Sequence, residues 1–308
     1  MTDMADKTEE NAHVSARSIV WARRRRSWNN MAGRFRRSRQ GMLGLTIFVI
    51  FAVIALLAPV LFDESQLDVT KATGGVYETP SGQYWLGTDD AGRNVLALVA
   101  WGARISLLVG LCATVLAMVI GTAVGIASGH YRGVVAGVLN RVTDWFLVIP
   151  FLPLAIVLAT VLGKSLLNII IVIGVTSWPA TARLIRAQTL SVEGRPYLER
   201  AKALGSGDLH QMTRHVLPNV MPLVLANTTL AVSISILSET TLSFLGLGDP
   251  TAVSWGTILD DAFSSGAISA GAWWYLAAPG VCVVLVVLAF NLIGRTLEDI
   301  LDPRGDHI

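Results

Sequence analysis

The residue types that could carry out chemistry in this 308-residue chain are few and scattered. Its five histidines show neither the H-x-x-x-H nor the H-E-x-x-H spacing that places two metal ligands on one helix face. Its two cysteines, Cys112 and Cys282, both lie inside long apolar runs. Such cysteines are most often small apolar side chains and not half of a disulfide or a metal site. The sequence therefore predicts no catalytic residues and no metal ligands.

One stretch comes close to a nucleotide-binding pattern. "VLATVLGKS" ends in Gly163, Lys164 and Ser165, which are the last residues of a P-loop. A P-loop also needs a glycine five residues before Gly163, and Leu158 stands there. We interpret the match as chance and predict that this chain holds no ATP or magnesium of its own.

The composition indicates that the chain forms membrane-spanning helices, which would position any functional residues. Hydrophobic types make up 53% of the chain and charged types 15%, whereas soluble domains carry about 25% charged residues. A helix needs about 20 apolar residues to cross a bilayer. The pattern predicts an all-α membrane protein with six transmembrane helices: residues 42–62, 105–128, a span beginning near 144, a short span at 166–182, then 216–244 and 273–294.

The distribution of basic residues predicts the orientation of these spans. Ten of the 24 lysines and arginines lie in the first 41 residues, and an excess of basic residues marks the cytoplasmic side. Six spans then place both termini in the cytoplasm. We interpret the basic run as an orientation signal that touches anionic membrane lipid, and not as a nucleic-acid patch. The predicted division is a basic cytoplasmic tail (1–41), a first anchor (42–62), an extracytoplasmic loop (63–103), a five-helix core (104–296) and a cytoplasmic tail (297–308).

Aromatic residues near the predicted outer boundaries fit this orientation, because amphipathic rings settle at the membrane surface. They are Trp85, Trp101, Trp255, Trp273 and Trp274.

The core contains a charged segment, "ERAKALGSGDLHQMTRHVLPN", on the predicted cytoplasmic side. Pro196 suits the first turn of a helix, Gly205 suits its left-handed end, and Asp208 suits the cap of a following helix. The spacing predicts a short helix near 195–212, with Leu198, Ala201, Leu204 and Gly205 on one stripe. It could lie on lipid, be a solvated loop, or dock into a groove of a partner.

Polar residues at membrane depth are candidates for the transport pathway or for contacts between helices. Serine and threonine in spans more often bond a neighbouring helix than a ligand, and for Glu239 we favour a structural hydrogen bond over a proton relay. The candidates in the fifth span are Asn227, Thr228, Ser235 and Glu239.

The charged segment resembles the E-A-A, three residues, Gly, nine residues, I-x-L-P motif of bacterial ABC importer permeases. Glu199, Ala201 and Gly205 match that motif, whereas Arg200 replaces its second alanine. Other stretches are similar to the dipeptide and oligopeptide group of these permeases, and to its second, C-type subunit. They are "WLGTDDAGRNVLALVAWGARISLLVG", "RVTDWFLVIPFLPLAI", "ILSETTLSFLGLGDP", "SWGTILDDA" and "NLIGRTLEDILDPR".

The resemblance implies a type I ABC importer permease fold in a bacterial plasma membrane. It implies a homologous sister permease, two ATP-binding subunits or one fused ATPase that bind ATP and magnesium, and an extracytoplasmic substrate-binding protein. The charged segment would be the coupling helix, in contact with the ATPase subunit. The residues assigned to that contact are Glu199, Ala201, Leu204, Gly205 and Asp208.

The substrate implied by the resemblance is a dipeptide or oligopeptide, with nickel chelates, glutathione or haem as alternatives. A secondary transporter would need ionisable residues at mid-membrane for coupling ions, often in two similar halves, and the chain shows neither. A membrane-embedded enzyme would need a metal cluster or a nucleophile with its base, which the sequence does not offer.

Overall fold

The computed structural model describes residues 31–301, and that part of the chain is mostly helical and contains no β-strand. The basic tail therefore lies mostly outside the described residues, as do the last residues of the C-terminal tail. The helices are α1 (Arg39–Leu61), α2 (Val95–His130), α3 (Val134–Val148), α4 (Phe151–Leu162), α5 (Leu166–Glu193), α6 (Pro196–Ala203), α7 (Asp208–Gln211), α8 (Leu217–Leu242), α9 (Trp255–Ser264) and α10 (Trp273–Leu301). Two 3-10 turns, Glu64–Leu67 and Val69–Lys71, lie between α1 and α2, and π-helical turns, Met212–Val216 and Ser243–Leu247, extend α8 at both ends.

Five of these elements are long and apolar enough to cross a membrane: α1, α2, α5, α10 and the continuous helical run Asp208–Leu247. The pair α3 and α4 passes the same test as a sixth span, but it is bent by 93°. The all-α membrane fold is confirmed, and the third span, predicted to begin near residue 144, is broken between α3 and α4. Pro150 lacks an N–H and disfavours a helical conformation in the residue before it, and Ile149 is accordingly extended (φ −75°, ψ 125°).

Contacts between helix ends define what we call the basic end of the bundle. The start of α1 meets the last turns of α10, where Ser38 Oγ lies 3.3 Å from Thr296 Oγ1. The last residue of α2, His130, contacts the last residue of α5, Glu193. The chain therefore returns to the same end of the bundle after its second and fourth crossings.

The opposite end, which we call the loop end, carries the two long connections. Trp101 Nε1, early in α2, donates to Phe62 O just after α1 at 3.2 Å. Leu166 N, at the start of α5, donates to Asp249 Oδ2 at 3.1 Å. The Thr251 hydroxyl also bonds that carboxylate and is the main cause that lowers the pKa of Asp249. Tyr77 Oη also donates to Ser265 O at 3.1 Å, so residues 63–94 and 248–272 lie at the same end of the bundle.

Several helices extend beyond the predicted spans, among them α2 and α5. Helix α2 begins at Val95 and not at residue 105, because the Asn94 side chain accepts a hydrogen bond from Leu96 N at 3.0 Å and caps the helix. Helix α5 continues to Glu193 and not to about Arg183. Its last turns are still held by packing, since Thr189 is fully buried against α2.

Helices α2 and α5 make the most extensive contact in the described residues, and glycines set their separation. Gly121, Gly125 and Gly129 recur at four-residue spacing along α2 and face α5. A Cβ atom on Gly125 would lie 2.7 Å from Ala182 O and 2.8 Å from Ile185 Cβ. Small residues at this spacing let two membrane helices approach until their backbones nearly touch.

Two of the tryptophans expected at the membrane surface are buried in the core. Trp255 is fully buried and donates from Nε1 to Val99 O at 3.0 Å. Trp274 is 7% exposed and donates to Thr88 O at 3.2 Å. Trp85 and Trp273 are exposed, in keeping with the expectation. The two cysteines are free thiols.

We expect Gly125→Val to destabilise the bundle by about 1–3 kcal/mol, because the new side chain would overlap the α5 backbone. The measurement is the midpoint temperature at which the detergent-solubilised protein stops eluting as a single species. Gly137→Val is the matched control, since no atom lies within 4 Å of a Cβ built on Gly137. Equal midpoints for the two variants would contradict the close contact between α2 and α5.

Candidate functional site

Helix α6 has the local structure that its sequence predicts. Pro196 is its first residue, and the preceding residue is extended. The helix ends at Gly205, whose φ of +81° is left-handed. Ser206 N bonds Ala201 O at 3.0 Å and Gly205 N bonds Lys202 O at 2.9 Å, the pair of bonds that closes a helix at a left-handed glycine.

The predicted stripe of α6 does not form one face. Leu198 is fully buried against the bundle, whereas Leu204 is 88% exposed, because six residues at 3.6 per turn place Leu204 about 120° from Leu198 around the helix. Glu199 and Gly205 are also exposed, and a Cβ built on Gly205 meets no atom within 4 Å. We call Glu199, Ala201, Leu204 and Gly205 the α6 surface; Ala201 is half-buried, and the other three are exposed in the described chain.

The prediction that Asp208 caps the next helix is wrong. The N-cap of α7 is Gly207, and Asp208 is the first helical residue, without a capping hydrogen bond from its side chain. Asp208 Oδ1 lies 3.4 Å from His130 Nε2 instead. The side chain therefore turns from its own helix toward the end of α2.

Side chains that the sequence analysis did not single out connect α6 and α7 to two spans. His130 Nδ1 lies 2.5 Å from Glu193 Oε1, and the other oxygen of Glu193 accepts from Lys202 Nζ at 2.6 Å. The His130 side chain is only 3% exposed. Together with Asp208, these residues join the ends of α2 and α5 to α6 and α7, and we call them the His130 network.

The sequence carried no signal for this network, because the predicted spans ended at residues 128 and 182, before His130 and Glu193. No spacing rule connects residues 63 positions apart, so the pair becomes visible only when α2 and α5 are docked.

Apolar contacts below α6 complete the connection. Leu198 belongs to a buried cluster with Ile185 and Val192 of α5 and with Val216 and Val220 at the start of the fifth span. The helical run from Asp208 to Leu247 then continues through the membrane. A displacement of α6 would therefore act on α5 and α8 directly.

The polar candidates in the fifth span fall into two groups. Thr228 bonds its own helix, through Val224 O at 2.7 Å. The other three contact side chains of neighbouring helices: Asn227 Nδ2 donates to Thr181 Oγ1 (3.1 Å), Thr114 Oγ1 donates to Ser235 Oγ (2.9 Å), and Ser106 Oγ donates to Glu239 Oε2 (2.9 Å). Asn227 bonds α5, and Ser235 and Glu239 bond α2.

We expect Glu193→Ala to loosen the segment between α5 and α7 while leaving the bundle folded. Trypsin should then cleave after Arg200 and Lys202 about tenfold faster, because a hydrogen bond to a charged group contributes about 1.5–3 kcal/mol. Asp144→Ala is the control at the same end, since its ion pair with Arg183 is 2.7 Å long but largely exposed. Unchanged cleavage in Glu193→Ala would contradict the structural role of the His130 network.

Comparison with known proteins assigns the fold to a family. Residues 121–306 match the family described as binding-protein-dependent transport system inner membrane component. Residues 26–80 match the N-terminal TM domain of oligopeptide transport permease C.

Individual relatives cover nearly the whole chain. The dipeptide transport system permease protein DppC of Haemophilus influenzae is 37% identical over 275 residues, which are 88% of this chain and 92% of that protein. The oligopeptide transport system permease protein OppC of Bacillus subtilis is 34% identical over 280 residues, 90% of each chain. The glutathione transport system permease protein GsiD of Shigella dysenteriae is 34% identical over 284 residues, 91% of each chain.

A helical bundle of five or six spans with this similarity is a transport permease and a multi-pass inner-membrane protein. The chain belongs to the binding-protein-dependent transport system inner membrane components, and within them to the dipeptide and oligopeptide permeases of the C type. This family consists of transport components and not of enzymes.

Proposed function

We propose that this chain is the permease subunit of an ATP-driven importer that takes dipeptides or oligopeptides from an extracytoplasmic binding protein. In this proposal the translocation pathway forms between the chain and a homologous sister permease. Separate subunits, either two chains or one fused ATPase, bind ATP and magnesium. The observation that carries the proposal is the uncovered α6 surface, which is joined to α2 and α5 by the His130 network and to α8 by buried apolar contacts.

The α6 surface suits contact with an ATPase subunit. Small residues permit close approach, and the exposed Leu204 offers an apolar side chain for a groove of the partner. ATP binding closes such a subunit pair and hydrolysis opens it, so that α6 is displaced between two positions. Because the helix from Asp208 to Leu247 has 40 residues, it extends for about 60 Å and carries that displacement across the membrane.

The proposal places the basic end in the cytoplasm and the loop end outside. Arginines cluster at the basic end, at Arg183, Arg186, Arg195, Arg200 and Arg214, and cytoplasmic segments carry an excess of basic residues. The binding protein would then deliver substrate to the loop end, where residues 63–94 and 248–272 lie.

The proposed substrate class rests on the relatives, because selectivity in such a system largely belongs to the binding protein. Relatives are named for dipeptide, oligopeptide and glutathione transport, and glutathione is itself a small peptide. Nickel chelates and haem are the remaining alternatives. The ligand of the binding protein that accompanies this chain would decide among them.

We expect Gly205→Asp to leave membrane insertion intact and to uncouple ATP hydrolysis from uptake. The added carboxylate would intrude on a close protein contact, and uptake should fall about tenfold or more, equivalent to about 1.4 kcal/mol of lost contact free energy. Uptake of a labelled tripeptide by whole cells is the measurement. Gly133→Asp is the control for an added carboxylate, since Gly133 also has a positive φ (+68°) and no atom lies within 4 Å of a Cβ built on it. Normal uptake by Gly205→Asp would refute the docking role.

Purification in mild detergent tests the whole assembly. We expect a second permease and one or two ATP-hydrolysing subunits to accompany the tagged chain, and cysteine labelling to find position 204 on the cytoplasmic side. Transport of the tripeptide by the purified chain alone in proteoliposomes, without a nucleotide-hydrolysing partner, would refute the proposed function.

A further inference from the structure

A buried carboxyl group lies where the fifth span meets the loop end. Glu239, near the end of α8, is 1% exposed. Its Oε2 accepts from Ser106 Oγ of α2 at 2.9 Å, and its Oε1 accepts from Ser243 Oγ at 2.9 Å. Thr240 Oγ1 lies 3.5 Å from Oε2. Within residues 31–301 no salt bridge involves Glu239, so hydroxyl groups are the partners that satisfy it.

Ser106 extends this contact to a third helix. The first residue of α9 is Trp255, and its N–H has no partner within the helix. That N–H donates to Ser106 Oγ at 3.2 Å, while the Ser106 hydroxyl donates to Glu239. Ser106 therefore connects the carboxyl group of the fifth span to the first turn of α9 at the loop end. Ser254, the N-cap residue of α9, adds a second hydroxyl group at the same carboxyl.

Close backbone packing surrounds this connection. A Cβ atom on Gly256 of α9 would lie 2.6 Å from Thr240 O in α8. A Cβ atom on Gly102 of α2 would lie 3.0 Å from the Trp255 ring. The first turn of α9 is therefore held between α2 and α8 without space for it to slide independently.

The hydrogen bonds restrict the relative position of these helices more than the packing does, because hydrogen bonds are directional. Apolar side chains would hold three helices together at lower cost, because burying a carboxyl group requires every acceptor to be satisfied. A carboxyl group with hydroxyl donors from two helices instead allows the contact only at one relative position of those helices. A displacement of the outer end of α8 would then carry the first turn of α9 with it.

We propose that Glu239 is a positioning residue that, through Ser106, makes α9 at the loop end move with the fifth span. The inference goes beyond the proposed function but rests on it, because nucleotide-driven displacement of α6 is what moves α8. The helix from Asp208 to Leu247 supplies the path from α6 to Glu239. The state of the ATPase subunits would thereby be reported to the surface on which substrate arrives.

The test follows α9 with a single cysteine. Cys112 and Cys282 are replaced by alanine, and Ser264→Cys adds a reporter on the exposed end of α9. The transporter, purified with its accompanying subunits and placed in nanodiscs, is labelled with a membrane-impermeant maleimide. Labelling rates are compared without nucleotide and with ATP, magnesium and vanadate. We expect the labelling rate of the parent to differ between the two nucleotide conditions. We expect Ser106→Ala to reduce that difference by about fivefold, which is at the lower end of the range of coupling between sites.

Matched variants separate this role from general loosening. Thr114→Val removes another hydroxyl on α2 that bonds α8, one that does not contact α9, and should keep the difference. Glu239→Gln should also keep it, since the amide oxygen still accepts from Ser106, whereas Glu239→Leu should lose it. ATP hydrolysis in all variants should stay within about twofold of the parent. If Ser106→Ala fails to assemble, the comparison of Glu239→Gln with Glu239→Leu tests the proposal instead.

Several results would overturn the proposal. One is a parent whose labelling rate does not depend on nucleotide, and another is a Ser106→Ala variant that keeps the full nucleotide-dependent difference. An equal loss of that difference in Thr114→Val would also overturn the proposal. Its loss in Glu239→Gln would do so as well, and would indicate a proton-binding role. A preparation that contains no ATPase subunit would overturn the proposed function as well, and this is visible before any labelling. The two failures are therefore distinguishable.

Discussion

The contact between α2 and α5 determines much of this structure. In a bilayer the hydrophobic effect does not favour one helix pairing over another, so close packing must specify it. The glycines at 121, 125 and 129 bring the two backbones together and fix their relative height. Because this contact continues to the last turn of each helix, His130 lies opposite Glu193. A shift of one helical turn, about 5.4 Å, would separate that pair.

The register of α2 and α5 determines the other contacts at the basic end. Glu193 has two oxygens, and it uses one for the end of α2 and the other for α6. Leu198 then packs beneath α6 onto residues of α5 and of the fifth span. The short helix is therefore fixed on its inner side while its outer side remains available. This division allows a small element to transmit displacement without unfolding.

The sequence predicted the local structure of the site better than its surroundings. Pro196 and Gly205 marked the start and end of α6, since each acts through its own backbone conformation. Asp208 was wrongly expected to cap a helix, because capping competes with any other partner within reach, and His130 is such a partner only in the folded bundle. Leu204 was expected on the stripe of Leu198, but a separation of six residues places the two side chains about 120° apart around the helix.

The same distinction holds for the fold. Apolar runs predicted where spans lie, because hydropathy belongs to each segment by itself. The four-residue glycine spacing of α2 was present in the sequence, but its partner helix could not be read from it. The burial of Trp255 likewise depends on what packs against it. The family resemblance extended over the chain and supplied the class, which composition alone did not.

The break between α3 and α4 has a consequence for what surrounds the molecule. Lipid tails provide no hydrogen-bond partner, so backbone that leaves the helical path at membrane depth is tolerated only against protein or water. The turn at Val148, Ile149 and Pro150 is exposed on the isolated chain. That side of the bundle is therefore suited to an aqueous channel or to a neighbouring polypeptide, and the outward surface of α1, rich in exposed leucine and valine, is suited to acyl chains.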